Sequence, residues 1–180
     1  MGTSDLEALL KDPQVRAEYT RLPADQAAAW GWRMLWLTKA LDHQILPPGD
    51  NWSIWLMLAG RGAGKTRTAA EQVAWWAWTY PKSRGLVAAP TSADVRGTCF
   101  EGDSGLIPPI LVADYNKALH ELRLTNGSLL KGIPASEPER FRGPQFGYGW
   151  LDELAAWEYI QEAWDQIQFG MRLKLPNMKT

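Results

Sequence analysis

Ala59-Gly60-Arg61-Gly62-Ala63-Gly64-Lys65-Thr66 stands between the apolar run Ile54-Trp55-Leu56-Met57-Leu58 and a helix-compatible segment. Strand, glycine-rich turn and helix in that order make a cradle for nucleotide phosphates. Small residues let successive backbone N–H groups turn inward on an anion, Lys65 reaches the β and γ oxygens, and the Thr66 hydroxyl suits a Mg²⁺ ion. The helix that follows adds its positive N-terminal end. The usual pattern opens with glycine where this chain has Ala59, a place alanine fills if its φ is negative. The competing reading is a glycine-rich turn that merely happens to end in Lys-Thr, and the strand-to-helix context speaks against it.

A second apolar run, Gly149-Trp150-Leu151, ends in Asp152 and Glu153. It reads as a buried strand that delivers two carboxylates at its C-terminal end. Beside a phosphate cradle, Asp152 would hold Mg²⁺, mostly through its water shell, and Glu153 would orient and deprotonate an attacking water. Adjacent residues on a strand face opposite ways, so the two acids divide these roles unless the strand ends there. Alone, the pair reads equally well as the N-cap and first turn of a helix through Ala155, Ala156 and Ile160. Paired with the upstream loop, the site reading prevails.

Composition sets the frame. A chain of 180 residues with 46% hydrophobic residues buries one substantial core. A net charge of −1 gives no bulk pull toward nucleic acid or membrane, so any DNA contact is local or shared among subunits. Cys99 is the single cysteine, which leaves no intrachain disulfide and makes a reducing compartment the default. The N-terminus lacks the basic-then-apolar pattern of a signal peptide, and no apolar run approaches the roughly 20 residues that span a bilayer. Of the eleven tryptophans, most are expected in the core, although Trp75, Trp76 and Trp78 cannot share one helix face.

Along the chain, residues 4–20 and 24–41 read as helices that form a lead-in over 1–50. A core follows over 51–172. Its expected elements are a strand at 54–58, a helix at 65–79 stopped by Pro81, and a central strand at 85–89. A helix from Thr91 to about Gly102 comes next, capped by Thr91 or Ser92. Thr125-Asn126-Gly127 joins two runs, 120–124 and 128–131, as a hairpin. A last helix is expected at about 155–169, and 173–180 reads as a linker. The order predicts an α/β fold, a mostly parallel sheet flanked by helices, of the P-loop NTPase (ASCE, recA-like) kind.

With both motifs placed, residues 43–170 resemble the ATPase domain of the large terminase subunit of tailed bacteriophages. The most specific stretch is Ser136-Glu137-Pro138-Glu139-Arg140-Phe141-Arg142-Gly143-Pro144, followed by Trp150-Leu151-Asp152-Glu153-Leu154-Ala155-Ala156-Trp157. Arg61 within the phosphate loop and Ala89-Pro90-Thr91-Ser92-Ala93-Asp94-Val95-Arg96 are similar to terminases as well.

The resemblance implies an ATPase with ATP and Mg²⁺ as cofactors. ATP would rest on Gly60, Arg61, Gly62, Ala63, Gly64, Lys65 and Thr66, with the metal at Thr66 and Asp152 and catalysis at Glu153, Arg61, Arg142 and Lys65. Arg61 and an arginine donated to a neighbouring subunit would neutralise γ-phosphate charge, a task that suits a guanidinium. Arg142 takes the donated role and Arg140 competes for it; for either, a surface charge or an ion pair with Glu137 or Glu139 is the alternative. Gln44 corresponds to an adenine-reading glutamine, and Arg96 to a residue of a DNA-contact or coupling motif. The implied partners are double-stranded DNA, the portal protein and the small terminase subunit. The implied assembly is a homo-oligomeric ring on the procapsid in the host cytoplasm, and the isolated chain would be a monomer.

Two family features are not found here, a Thr-rich coupling motif after the acidic strand and a C-terminal RNase H-like nuclease. The chain therefore reads as a piece of a larger protein, without cleavage activity of its own. The rivals are another nucleic-acid-stimulated P-loop ATPase, such as a helicase core, and a module that binds nucleotide without hydrolysing it. The first needs a second recA-like lobe, for which there is no room. The second has no use for Glu153.

Overall fold

The computed structural model describes residues 11–49, 52–106 and 111–176. Helix α1 spans Pro13–Arg21, with Asp12 accepting a 2.7 Å bond from the Gln14 N–H, and α2 spans Ala24–Lys39. The part of the first expected helix before residue 11 lies outside the described residues. Helix α3 is Lys65–Thr79 and strand β1 Arg84–Ala89, as expected from their sequence boundaries. Strands β2, Val112–Asn116, β3, Glu121–Leu124, β4, Leu129–Pro134, and β5, Tyr148–Leu151, complete one sheet, and α4 is Ile160–Gly170.

The sheet order is β2-β3-β4-β1-β5. Strand β1 runs parallel to β4, with Ala88 opposite Ile133, and parallel to β5, with Val87 opposite Trp150. Strands β3 and β4 pair antiparallel across the Asn126-Gly127 turn, and β2 adds antiparallel to β3. The sheet is mixed, which corrects the expectation of a mostly parallel one. The hairpin and β2 supply the antiparallel half. Strand β2 eluded the sequence because Val-Ala-Asp-Tyr-Asn carries only two large apolar side chains and is largely exposed.

Side chains of β1 alternate between two cores, as the two-residue period of a strand requires. Val87 and Ala89 pack with Ala70, Val73, Ala74 and Ala77 of α3, while Leu86 and Ala88 pack with Ile133, Phe141, Trp157 and Ile167 on the α4 side. Each fully buried Val or Leu here contributes about 1.5–3 kcal/mol. The sheet is thereby held between α3 and α4, and the C-terminal ends of β1 and β5 are fixed beside the start of α3.

Three further expectations change. The run 54–58 is not a strand: Ile54, Leu56 and Leu58 are 60%, 66% and 84% exposed, and Trp55 and Met57 are half-buried. The chain after α4 instead runs beside the segment that leads into β5. There Phe146 bridges Met171 in parallel, its N–H bonds Gly170 O at 2.9 Å, and the Leu173 N–H bonds its carbonyl at 3.0 Å. The helix expected at 91–102 is one turn, Ser92–Asp94, continued as a π-helix over Val95–Phe100. The wider winding stacks Val95 and Phe100, five residues apart, over the bare face of Gly132. The last helix starts at Ile160 rather than 155, after a 3-10 turn at Leu154–Ala156, because the Trp157 indole turns back to donate to Asp152 O at 3.0 Å. Among the described residues no helix is long and apolar enough to cross a membrane.

Candidate functional site

Gly62 and Gly64 have φ of +82° and +78°, in the left-handed region that glycine adopts without strain. Gly64 is the N-cap of α3 and offers no side chain, so the first N–H groups of the helix have no side-chain acceptor there. The Thr68 N–H and hydroxyl both bond Gly64 O at 2.9 Å and lock the turn onto the helix. The Lys65 ammonium folds back to Ala59 O at 3.0 Å and Gly60 O at 3.3 Å, and stands 3.9 Å from Glu153 Oε1. Together Arg61 to Arg67, Ser104 and Glu153 line a cavity of about 560 Å³.

The acid pair sits where β5 ends. The Asp152 N–H still bonds Ala88 O at 2.8 Å, continuing the ladder one residue beyond Leu151. Its carboxylate is buried and accepts from the Trp150 indole N–H at 3.3 Å. Glu153 then turns left-handed at φ +45°, a conformation that costs a non-glycine residue about 1–3 kcal/mol and that persists only where its surroundings impose it. That turn ends the strand alternation and puts the Glu153 carboxylate on the cavity wall with Lys65, while Asp152 stays buried beside it.

Burial raises the Asp152 carboxyl above its ordinary value; the neighbouring charges of Glu153 and Asp94 add to this, and Trp150 and Lys65 oppose it. The folded chain thus holds a proton that the unfolded chain has already released. Stability falls as pH rises from the ordinary carboxylate value near 4 through the raised one, and then levels. Asp152→Asn is expected to remove this loss. In buffer without nucleotide or metal it should gain about 1 kcal/mol at pH 7, the usual scale for relieving a strained functional site, with the gap closing toward pH 4. Urea unfolding at both pH values measures it. A variant no more stable than its parent at pH 7 would mean that the buried carboxylate carries no such cost.

The remaining expected residues divide. Arg61, Gly62, Ala63, Gly64, Lys65, Thr66 and Glu153 converge on the cavity, and Gly60 adjoins it. Gln44 does not line it: its Oε1 accepts from the Leu41 N–H at 2.9 Å and its Nε2 reaches Gly64 O at 3.5 Å, so its carboxamide braces the turn from behind. Arg142 is exposed away from the cavity, just past the 3-10 turn Pro138–Phe141, and makes no ion pair among the described residues. Arg140 is paired with Glu137 at 3.4 Å.

Two cavity residues, Arg67 and Ser104, were missed by sequence reasoning. Arg67 pairs with Glu71, which is 3% exposed; the i,i+4 spacing was a usable signal for that pair. Burial raises the Glu71 carboxyl, and Arg67 opposes the rise. Next to Glu71, Gln72 accepts from the buried Arg33 at 3.0 Å, and the Arg33 guanidinium lies 5.3 Å from the Trp75 ring, its pKa lowered by burial to about 10. These contacts tie α2 to the helix that begins at the cavity. Nothing in the local sequence marked Ser104.

Fold and site define an α/β domain in which a glycine-rich loop opens a helix on one face of a mixed sheet and meets a strand-end acid pair. The family model for the terminase large subunit, T4likevirus-type, N-terminal, matches residues 56–178. The chain belongs to this family, which links it to phage DNA packaging. No curated protein matches the chain.

Proposed function

We propose that this chain is the Mg²⁺-dependent ATPase motor domain of a viral DNA-packaging terminase, coupling ATP hydrolysis to translocation of double-stranded DNA into a procapsid. One observation carries the reading: in a chain of this family, a glycine-rich turn at an uncapped helix start shares its cavity with one lysine and one strand-end glutamate. The donor set suits a triphosphate. A Cβ added at Gly60 or Gly62 would meet nothing within 4 Å, so the turn leaves open space above its backbone. The residues suit Mg²⁺ in the same way, since that ion takes one or two protein oxygens and completes its shell with phosphate and water.

In this reading the backbone of 60–66 and the start of α3 hold the phosphates, with Lys65 and Arg61 balancing their charge. Thr66, on the cavity wall, and Asp152, buried beside it, are the residues that would hold the metal. When bound, Mg²⁺ neutralises charge that develops on the phosphate oxygens. Glu153 orients a water and takes its proton. Gln44 fixes the turn at Gly64, and adenine recognition by the same residue would require its amide to leave Leu41. Arg142 projects from the surface and serves a neighbouring subunit's site in a homo-oligomeric ring. Double-stranded DNA, the portal protein and the small terminase subunit are the partners, and the host cytoplasm at the procapsid portal is the place of action.

Glu153→Gln tests the chemistry apart from binding. Mg²⁺-ATP affinity should be kept, while phosphate release with double-stranded DNA present should fall by about 10²-fold or more, the scale of a lost general base. Hydrolysis at the parental rate would remove Glu153 from the mechanism and favour a domain whose acids only cap the chain turn.

A further inference from the structure

We propose that Ser104 reads the terminal phosphate of a bound nucleoside triphosphate and so lets the site tell triphosphate from diphosphate. This rests on the reading of 60–66 as a phosphate site. Among the described residues that line the cavity, only Ser104 and Glu153 come from outside the stretch 61–67. A phosphate chain seated on that stretch turns its outward oxygens toward these two. Glu153 is an acceptor when ionised, whereas a serine hydroxyl donates one hydrogen bond, which a phosphate oxygen accepts.

The hydroxyl is held at the wall by a turn with little freedom. The Glu101 N–H bonds Arg96 O at 2.8 Å, the Gly105 N–H bonds Gly102 O at 2.8 Å, and the Leu106 N–H bonds Cys99 O at 2.9 Å. At Gly102 a Cβ would lie 2.8 Å from the carbonyl oxygens of Gly97 and Thr98, and at Gly105 one would lie 2.9 Å from that of Cys99. Both flanks of the tip are therefore packed backbone to backbone, and Asp103 and Ser104 are left exposed between them. No protein group among the described residues hydrogen-bonds the Ser104 hydroxyl, so it is available to a ligand. Through the same backbone bonds the turn is continuous with the π-helix that carries Arg96.

Titration calorimetry with Mg²⁺ and a non-hydrolysable ATP analogue, and separately with ADP, tests this on the intact chain. Ser104→Ala should weaken the analogue by about tenfold, the scale of one hydrogen bond to a charged group at an accessible site, and leave ADP within about twofold. Ser104→Thr should retain the parental preference because it keeps the donor. Asp103→Ala, on the same tip but off the cavity wall, should match the parent. Equal weakening of both ligands by Ser104→Ala, or no weakening of either, overturns the role of Ser104. If the parent binds both ligands and Lys65→Ala leaves those affinities unchanged, the phosphate-site reading itself fails, and the role of Ser104 with it.

Discussion

Lys65→Ala is expected to abolish measurable ATP hydrolysis and to weaken nucleotide binding, the largest single effect available in this chain. The glycine-rich turn itself grips the ammonium, at 3.0 Å and 3.3 Å from two of its carbonyls, and it also lies 3.9 Å from Glu153. In the proposed function it moves from those carbonyls to the β and γ phosphate oxygens, where it stabilises charge in the transition state as well as in the bound state. Removing it therefore lowers turnover and affinity together, in contrast to Glu153→Gln, which spares binding. The fold should survive, because the Lys65 side chain contributes little to either core. Phosphate release, nucleotide titration and a thermal melt on the same preparation separate the three. Parental turnover by a folded Lys65→Ala variant would refute the phosphate-loop assignment.

Arg142→Ala is the second large effect, and it appears only in a ring. Phe141 is buried at the end of its 3-10 turn and anchors the backbone, while Gly143 at φ +106° ends any regular element on the other side. Between them Arg142 is exposed, without an ion pair among the described residues, whereas Arg140 is engaged with Glu137. A guanidinium offered to a neighbour in this way fits a donated finger, whose loss costs about 10³-fold in turnover or more with nucleotide binding kept. In a longer, ring-forming protein, mixing Arg142→Ala with Lys65→Ala should restore partial activity. Each Lys65→Ala subunit lends its intact arginine to a neighbour with an intact loop. Mixed rings that assemble yet stay as inactive as either variant alone would exclude action between subunits. The isolated chain should stay monomeric and turn over slowly for the same reason, as light scattering and a concentration series would record.

What the sequence determined by itself is the part written in near neighbours. The left-handed glycines at 62 and 64, the helix that starts at Lys65 and ends at Thr79, the Thr91–Asp94 cap, and the Asn126-Gly127 hairpin each depend on residues a few positions apart. β1 was legible too, because a short apolar run between breakers has few alternatives to a buried strand. Membership of a ladder is a different kind of fact. Ile54–Leu58 has the apolarity of a core strand but lies outside the sheet with three of its five side chains exposed, while residues beyond 170 bridge Phe146 just ahead of β5. The mixed direction of the sheet follows from the hairpin, whose β4 also pairs parallel with β1, and from β2, whose side chains gave no local sign of pairing. The tertiary structure likewise decided the site's far wall. Glu153 reaches the cavity through a backbone turn at φ +45° that glutamate does not prefer, and Ser104 through packing of two glycines against carbonyls of the preceding π-helix. The approach of Glu153 to Lys65 joins segments distant in the chain, and the free energy of such contacts is absent from any local window of sequence.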